Sequence, residues 1–196
     1  MQMCYLNKIE YEIVLNDSLT VIRGCAKCGA KTRFINTKKF RVNANGNKLD
    51  VWLIYQCENC KHTLNLTIYE RQKVSAISKE EYRYFLSNDE KLAEMYGKNM
   101  QFFQKNKADI DFERLDYDFV KLHEARESCG SEEHIEVTIH NPYQLKIRLE
   151  KQIASVLGLS GSQVKKLMEQ GEIKPDKSLP QIVSFIVNGK CLVNSY

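Results

Sequence analysis

The residues with the clearest chemistry in this chain are four cysteines arranged in two close pairs. Two residues separate Cys25 from Cys28, and two separate Cys57 from Cys60. A further 28 residues lie between the two pairs. A two-residue spacing lets both thiolates of a pair reach one ion from a tight turn, and Gly29 permits the turn that follows the first pair. We therefore predict one metal site bound by all four cysteines, with a β-hairpin between the pairs.

Four sulfur ligands are a set that zinc prefers, and they leave no position for water or substrate. The predicted cofactor is therefore structural zinc, with iron as the alternative because rubredoxin-like turns use a similar spacing. Thiol redox catalysis is less favoured, because a second pair at this spacing indicates a shared metal. His62 could replace a ligand, but we expect it near the site or on the surface. The isolated Cys4, Cys129 and Cys191 are interpreted as ordinary thiols.

Charge is unevenly distributed along the chain, although the net charge is only +4. Residues 18–49 contain no acidic side chain, whereas residues 109–136 contain ten. This asymmetry fits a surface that binds a polyanion. It fits equally well a fold in which the acidic segment neutralises the basic one. The basic residues of the first stretch are Arg23, Lys27, Lys31, Arg33, Lys38, Lys39, Arg41 and Lys48.

Aromatic residues lie among these basic side chains, namely Phe34, Phe40 and Trp52. Cations can bind phosphates while aromatic rings stack on bases, so the stretch is a candidate nucleic-acid surface. The alternative is that the rings pack the core of a small β-domain, which we expect for Trp52. The nucleic-acid contacts predicted here are Arg33, Lys38, Lys39 and Arg41.

Apolar and β-branched residues predict several strands in the first part of the chain. Asn45-Gly46 supplies a turn between two of them. The predicted strands are residues 9–15, 19–22, 34–42, 49–55 and 64–69.

Helical signals begin at Ser78, where Glu81 three residues later completes a capping-box pattern. A second short helix is predicted after Asn88 or Asp89, ending near Gly97. Further along, residues 110–122 are ambiguous between strand and helix, residues 124–133 are predicted as a loop, and residues 135–139 as a strand.

The last part of the chain predicts two helices and a hairpin. Asn141-Pro142 is predicted to open the first helix and Gly158 to end it. Ser160 is a candidate N-cap for the second, closed by Gly171. Residues 183–187 and 190–193 flank Asn188-Gly189, a hairpin signal.

The fold class predicted from these elements is α+β. It comprises a zinc-ribbon-like antiparallel β-domain (residues 1–76), a helical middle segment (77–132) and a helix pair with short strands (133–196). Hydrophobic residues make up 43% and charged residues 28%, as in globular proteins. With neither a membrane-length apolar run nor a secretory signal pattern, we expect a cytoplasmic protein without membrane partners.

The cysteine-containing stretches, residues 25–46 and 50–60, resemble a bacterial family of proteins of unknown function, the domain-of-unknown-function family numbered ten sixty-two. The resemblance extends over most of the chain. It implies no activity, because the family has no assigned one.

The C-terminal stretches 148–154, 159–173 and 187–190 look like the alpha-L RNA-binding motif of a small-subunit ribosomal protein, pseudouridine synthases and tyrosyl-tRNA synthetases. The resemblance implies two helices and following strands that present basic side chains to structured RNA. The chain departs from the motif in two places. Gly161 stands where the motif usually has arginine, and residues 174–186 add about a dozen residues after the second helix. Matching positions are Arg148, Lys151, Ser160, Ser162, Lys165 and Lys166.

Three functions follow from these patterns. The first is binding of structured RNA or another nucleic acid, and the second is a protein-interaction adaptor built on a structural zinc site. The third, an enzyme with a pocket near His123, His134 or His140, is least favoured because no catalytic triad or acid/base pair is visible. We therefore expect no enzymatic activity. The sequence does not indicate which oligomeric state the protein adopts.

Overall fold

A computed structural model describes residues 7–125, 134–179 and 181–188 of the chain. Two compact units are present: a central unit, Leu15–Asp116, and a terminal unit formed by Met1–Val14 and Tyr117–Tyr196. Predictions for Cys4, Cys129, Cys191, for most of the loop at 124–133 and for the strand at 190–193 lie outside the described residues.

The central unit is built on a five-stranded sheet with the strand order β5-β4-β3-β2-β6. Neighbouring strands are antiparallel. The four longer strands confirm the predicted β-rich N-terminal part, and β6 lies in the stretch that the sequence left ambiguous. The strands are β2 Val21–Cys25, β3 Ala30–Asn45, β4 Lys48–Cys57, β5 Thr63–Lys73 and β6 Asp109–Ile110.

Strand β4 shows why this sheet has two different faces. Its residues alternate between buried and half-buried along its length, because successive side chains point to opposite faces. Leu53 is fully buried and pairs with the buried Phe40 of β3. We call this the inner face and the opposite side the outer face. The hairpin between β3 and β4 turns at Gly46, whose φ of 60° confirms the predicted turn.

Three short helices follow the sheet, α1 Lys79–Ser87, α2 Glu90–Gly97 and α3 Met100–Lys105. Ser78 and Asp89 cap the first two as predicted, whereas α3 was not predicted. Glu81 does not complete the capping box. Its carboxylate accepts hydrogen bonds from the hydroxyls of Tyr69 (3.1 Å) and Tyr96 (2.9 Å), which link α1 and α2 to β5.

Aromatic side chains attach these helices to the inner face. The Phe85 ring of α1 lies 5.0 Å from Phe40 and 5.9 Å from Tyr69, centroid to centroid. The Phe103 ring of α3 lies 6.1 Å from Tyr55, edge to face. Such pairs contribute about 0.5–1.5 kcal/mol each beyond their buried area. The helices therefore cover the inner face.

The terminal unit contains a second five-stranded sheet, with the order β7-β1-β8-β10-β9. Strands β1 and β8 are parallel, while β8, β10 and β9 are successively antiparallel. The central unit is inserted in sequence between β1 and β7. The strands are β1 Asn7–Leu15, β7 Tyr117–Ala125, β8 His134–His140, β9 Ile173–Leu179 and β10 Ile182–Asn188.

Two helices complete this unit, α4 Leu149–Leu157 and α5 Gly161–Glu169. Gly158 adopts φ 65° after α4 and Ser160 caps α5, both as predicted. Gln163 completes a capping box that was not predicted. Gly171 follows α5 with φ 76°. The predicted α+β class is confirmed. Within the described residues, no helix has the length and apolar character needed to cross a membrane.

The predicted start of α4 at Asn141-Pro142 is wrong, because the helix begins at Leu149. The Asn141 side chain closes a turn instead. Its amide donates to the Leu145 carbonyl (2.9 Å) and accepts from the Leu145 N–H (3.0 Å), and Gln144 takes a positive φ of 52°. Asparagine favours such local hydrogen bonds over a helical first turn.

Gly97 provides a test of packing in the central unit. A Cβ at this position would lie 2.6 Å from Asn36 Nδ2, which is held by hydrogen bonds to Ser18 and to the Ala93 carbonyl. We predict that Gly97→Ala lowers the free energy of unfolding by about 1–3 kcal/mol because the site is overpacked. Denaturant unfolding measures this change.

Gly24→Ala is the matched control, because a Cβ there meets no atom within 4 Å. Its unfolding free energy should change by less than about 0.5 kcal/mol. Equal effects of the two substitutions would contradict the packing at Gly97.

Candidate metal centre

The four cysteines lie in two turns at one end of the central sheet. Cys25 ends β2 and Cys57 ends β4, and each is followed by a tight turn into the next strand. The turns are alike: the Gly29 N–H donates to the Cys25 carbonyl (2.9 Å) and the Lys61 N–H to the Cys57 carbonyl (3.0 Å). Gly29 and Lys61 both have positive φ. The predicted hairpin between the pairs is β3–β4.

The four sulfur atoms all lie within 4.8 Å of one another. Cys25 Sγ is 3.4 Å from Cys60 Sγ, and Cys28 Sγ is 3.9 Å from Cys57 Sγ. A tetrahedral ion with metal–sulfur bonds of about 2.3 Å requires sulfur–sulfur distances of about 3.8 Å. The four cysteines therefore fit one tetrahedral metal ion, as the sequence predicted.

The cluster contains sulfur ligands only. His62 is exposed and is not among the grouped ligands. Its carbonyl oxygen instead accepts a hydrogen bond from the Cys57 N–H (2.9 Å). Among the described residues, the four cysteines are the group of His, Cys, Asp or Glu side chains that lie close enough together to hold a metal ion.

Thr32 tunes the site from the adjacent strand, a role that the sequence did not reveal. Its hydroxyl lies 3.3 Å from Cys57 Sγ. Hydrogen bonds from this hydroxyl and from the Cys60 N–H lower the pKa of Cys57 to about 6. A hydrogen bond to the Cys60 sulfur and burial raise the pKa of Cys28 to about 12. Metal binding must therefore displace protons from some of these sulfurs.

Two ion pairs join the segment 109–114 to residues next to this site. Asp111 is 2% exposed, and Arg33 Nε donates to its carboxylate at 2.5 Å. The Arg33 guanidinium holds the pKa of Asp111 below its usual range. Arg114 pairs with Glu58, inside the second cysteine turn, at 2.6 Å. Part of the predicted basic excess is therefore neutralised within the central unit.

The other nucleic-acid contacts predicted in residues 18–49 are Lys38, Lys39 and Arg41. A β-bulge in β3 separates Lys38 from the other two. Lys38 has a positive φ of 58° and is directed to α2, where it pairs with Glu94 (2.7 Å) and Glu90 (3.4 Å). Lys39 and Arg41 are exposed. Their pairing partners on β4 lie on the outer face. The structure therefore groups Lys39 with Arg41, and places Lys38 elsewhere.

The structure decides between the two interpretations of the aromatic residues, and the expectation for Trp52 is wrong. Phe34 and Phe40 are 2% and 8% exposed and belong to the core. Trp52, which we expected in the core, is half-buried with Arg41 5.9 Å above its ring. The alternation of β4 decides this, because Trp52 lies between the buried Val51 and Leu53.

In the terminal unit, Arg148, Lys151 and Lys165 line an open cleft between α4 and α5. Ser160 and Ser162 lie at the start of α5, with their hydroxyls 3.0 Å apart. Lys166 is exposed in the last turn of that helix. Nucleic-acid binding by these residues stays a prediction. Of the histidines considered for an enzyme, His140 Nε2 lies 3.5 Å from a Glu10 carboxylate oxygen.

Residues 42–178, more than half of the chain, match the model of one family, described as a protein of unknown function (DUF1062). The chain belongs to this family. The DUF1062 match includes Cys57 and Cys60 but begins after Cys25 and Cys28. Neither a search of curated proteins nor a search of solved structures found a match.

Replacement of Thr32 tests its hydrogen bond to the metal site. We predict that Thr32→Val weakens metal binding about tenfold or more, because the Cys57 thiolate loses a donor. With a higher Cys57 pKa, protons compete better for the sulfur, so metal release on acidification should move to higher pH. Competition with a chromophoric chelator over a pH series measures both effects.

Thr63→Val is the matched control, because Thr63 is an exposed strand threonine on β5. Its metal affinity should equal that of the wild type. An unchanged release midpoint in Thr32→Val would contradict the assigned role.

Replacement of Arg33 tests its ion pair with Asp111 beside the metal site. We predict that Arg33→Met lowers the free energy of unfolding at neutral pH, because the buried Asp111 loses its charged partner. Since the pKa of Asp111 is lowered in the folded chain, this stabilisation is present above its unfolded pKa of about 3.9 and is lost as pH falls through the folded value. Denaturant unfolding over a pH series measures it.

Lys48→Met, at an exposed strand position, is the comparison variant. The difference in free energy of unfolding between the two variants should become smaller in acid. A gap that is independent of pH would mean that the ion pair is not its source.

Proposed function

We propose that this protein binds structured RNA through the terminal unit, while a structural zinc ion organises the central unit. The observation that carries the proposal is the cleft of about 870 Å³ between α4 and α5. Three cations line this cleft, and apart from Glu150 the rest of its lining consists of small or apolar residues.

The cations come from both helices. Arg148 is the N-cap residue of α4, Lys151 lies on its first turn and Lys165 is on α5. Glu150 is the acidic residue in the lining. Lys151 Nζ is positioned 5.3 Å above the Tyr117 ring of β7. Three cations against one carboxylate favour a phosphate-bearing ligand.

The start of α5 adds to this positive potential. Gly161, the first residue of the helix, lines the cleft, and a helix N-terminus carries a partial positive charge. The Ser160 hydroxyl accepts from the Gln163 N–H (3.2 Å) and so orients this end. A Cβ at Gly161 would meet no atom within 4 Å, so the backbone is open to a ligand although the usual arginine is missing.

The order of elements supports an alpha-L-like arrangement of this region. Helices α4 and α5 are followed by β9 and β10, as the resemblance implies. The extra residues 174–186 lie mostly in these two strands. The added segment therefore extends a sheet, and it does not interrupt the helix pair.

Zinc is the proposed occupant of the four-cysteine site, with iron as the alternative. Sulfur–sulfur distances near those of a tetrahedral site support zinc, and a closed set of four thiolates supports a structural role. Elemental analysis of the purified protein distinguishes the two metals.

A protein-interaction adaptor is the second candidate. Leu86 and Met95 are 57% and 58% exposed on α1 and α2. A concavity of about 620 Å³ is lined in part by Tyr84, Leu92 and Met95. Co-purification of one stoichiometric protein without RNA would favour this function.

Replacement of two cleft lysines tests RNA binding. We predict that Lys151→Ala/Lys165→Ala weakens binding of a labelled RNA hairpin about tenfold at low salt, because phosphate contacts are lost. The slope of affinity against salt concentration should fall by about one for each lost contact. Fluorescence anisotropy at several salt concentrations measures both quantities.

Lys8→Ala/Lys174→Ala removes the same charge from the terminal unit at residues outside the cleft lining. It should keep nearly the wild-type affinity. The proposal is wrong if the wild type shows no salt-sensitive binding at low ionic strength, or if both double variants bind equally weakly.

A further inference from the structure

The outer face of the central sheet carries an aromatic ring, cations and amides side by side. Register places Arg41 opposite Trp52, Lys39 opposite Ile54, and Ile35 opposite Gln56. On the other side of β4, Trp52 is opposite Thr67 and Ile54 is opposite Asn65. The residues of this outer-face site are Ile35, Lys39, Arg41, Trp52, Ile54, Gln56, Asn65 and Thr67.

The three helices of the central unit pack on the other side of the sheet. Phe40, adjacent to both Lys39 and Arg41, is directed inward and contacts Phe85 of α1. Since neighbouring residues of a strand point to opposite faces, Lys39 and Arg41 are directed away from that helix. The aromatic packing of the inner face therefore does not use the outer-face residues.

Trp52 is a large apolar side chain that the core does not enclose. It is half-buried, although Val51 and Leu53 on either side of it are fully buried. The guanidinium of Arg41 lies 5.9 Å from its ring centroid. Ile35 is 39% exposed on the same face. An indole ring between a cation and aliphatic side chains is a surface on which a flat ring can stack.

The β-bulge in β3 separates paired from unpaired cations. Thr37 Oγ1 donates to the Ile54 carbonyl (2.8 Å), and Lys38 turns to Glu90 and Glu94 on α2. Bulges commonly redirect a side chain in this way. Within the described ranges, Lys39 and Arg41 have no carboxylate partner at salt-bridge distance. These two cations are therefore available to a ligand.

Asp50 is an acidic residue near this site. Asp50 pairs in register with Asn43, next to the Arg41–Trp52 pair. Its Oδ1 accepts a hydrogen bond from the Arg71 N–H at 2.7 Å, at the irregular end of β5. The carboxylate is engaged with the backbone but keeps its charge, so the two cations Lys39 and Arg41 exceed it by one positive charge.

We infer that the outer-face site binds single-stranded nucleic acid, with one base stacked on Trp52 and adjacent phosphates at Lys39 and Arg41. A duplex keeps the faces of its bases inside its own stack, whereas a single strand exposes them. Stacking of a base on the indole releases the guanidinium of Arg41 to a phosphate. Gln56 and Asn65 supply amide donors and acceptors for base edges. This inference deepens the proposed function and rests on it, because it gives the bound RNA a single-stranded segment.

The fluorescence of Trp52 tests the inference directly, because the chain contains one tryptophan. Oligouridine of about ten nucleotides, a length suited to one binding module, is titrated into the full-length metal-bound protein at low salt. We expect tryptophan quenching that saturates together with the anisotropy of the labelled oligonucleotide. A blunt RNA duplex of equal length should cause little quenching.

Substitution of Trp52 separates stacking from charge. Trp52→Ala should weaken oligouridine binding about tenfold, the lower range for loss of one stacked base, and should leave duplex binding unchanged. Trp52→Phe retains a stacking ring and should restore most of the affinity. Thermal unfolding and metal content show whether each variant is folded.

Arg83 and Tyr84 provide a matched control in the same unit. The Arg83 guanidinium lies 5.7 Å from the Tyr84 ring on α1, a helix that packs on the inner face. Arg83→Ala/Tyr84→Ala removes a comparable cation–aromatic pair and should leave oligouridine affinity unchanged.

The outcomes distinguish this inference from the proposed function. Binding of oligouridine without tryptophan quenching, or with equal affinity in Trp52→Ala, overturns the outer-face site and leaves RNA binding by the cleft intact. Absence of binding to oligouridine, hairpin and duplex overturns both. Loss of hairpin binding in the cleft double variant, with oligouridine binding and quenching retained, supports two separate sites.

Discussion

Four sulfur atoms held within 4.8 Å of one another are the constraint on which the central unit depends. A cation bound by all four sulfurs would hold the two turns together. It would join the ends of β2 and β4 and so fix the metal end of the long β3–β4 hairpin. Thr32 stabilises one thiolate, which shows that the neighbouring strand is part of the site.

Charge compensation in the central unit follows a clear geometric pattern. Asp111 neutralises Arg33, and Arg114 neutralises Glu58, both beside the cysteine turns. Glu90 and Glu94 neutralise Lys38 on the side of the helices. The acid-free stretch is thus less basic in the folded protein than in the sequence. Two cations without a carboxylate partner among the described residues, Lys39 and Arg41, lie on the outer face, where the Arg41 guanidinium is 5.9 Å from the Trp52 ring centroid.

The helix-covered inner face and the open outer face have different chemistry for one reason. Phe40 and Tyr55 meet aromatic residues of α1 and α3, and Leu53 is fully buried on the same face, so the inner face is committed to the core. The core does not need Trp52. A strand that is already buried on one side can carry binding residues on the other at little cost in stability. In the terminal unit, the α4–α5 pair likewise buries Ile153, Leu157 and Val164 and presents its lysines outward.

The sequence by itself determined the metal ligands, the caps at Ser78, Asp89 and Ser160 and most strands of the central unit, because these depend on residue type and short spacings. It did not reveal α3, the true start of α4 or the face occupied by Trp52. Asn141 has two local hydrogen-bonding options, and in the folded chain its side chain bonds both backbone groups of the buried Leu145. The face of Trp52, the partner of Arg33 and the division between paired and unpaired cations were decided by strand register. Register depends on residues far apart in sequence, so only the tertiary structure specifies it.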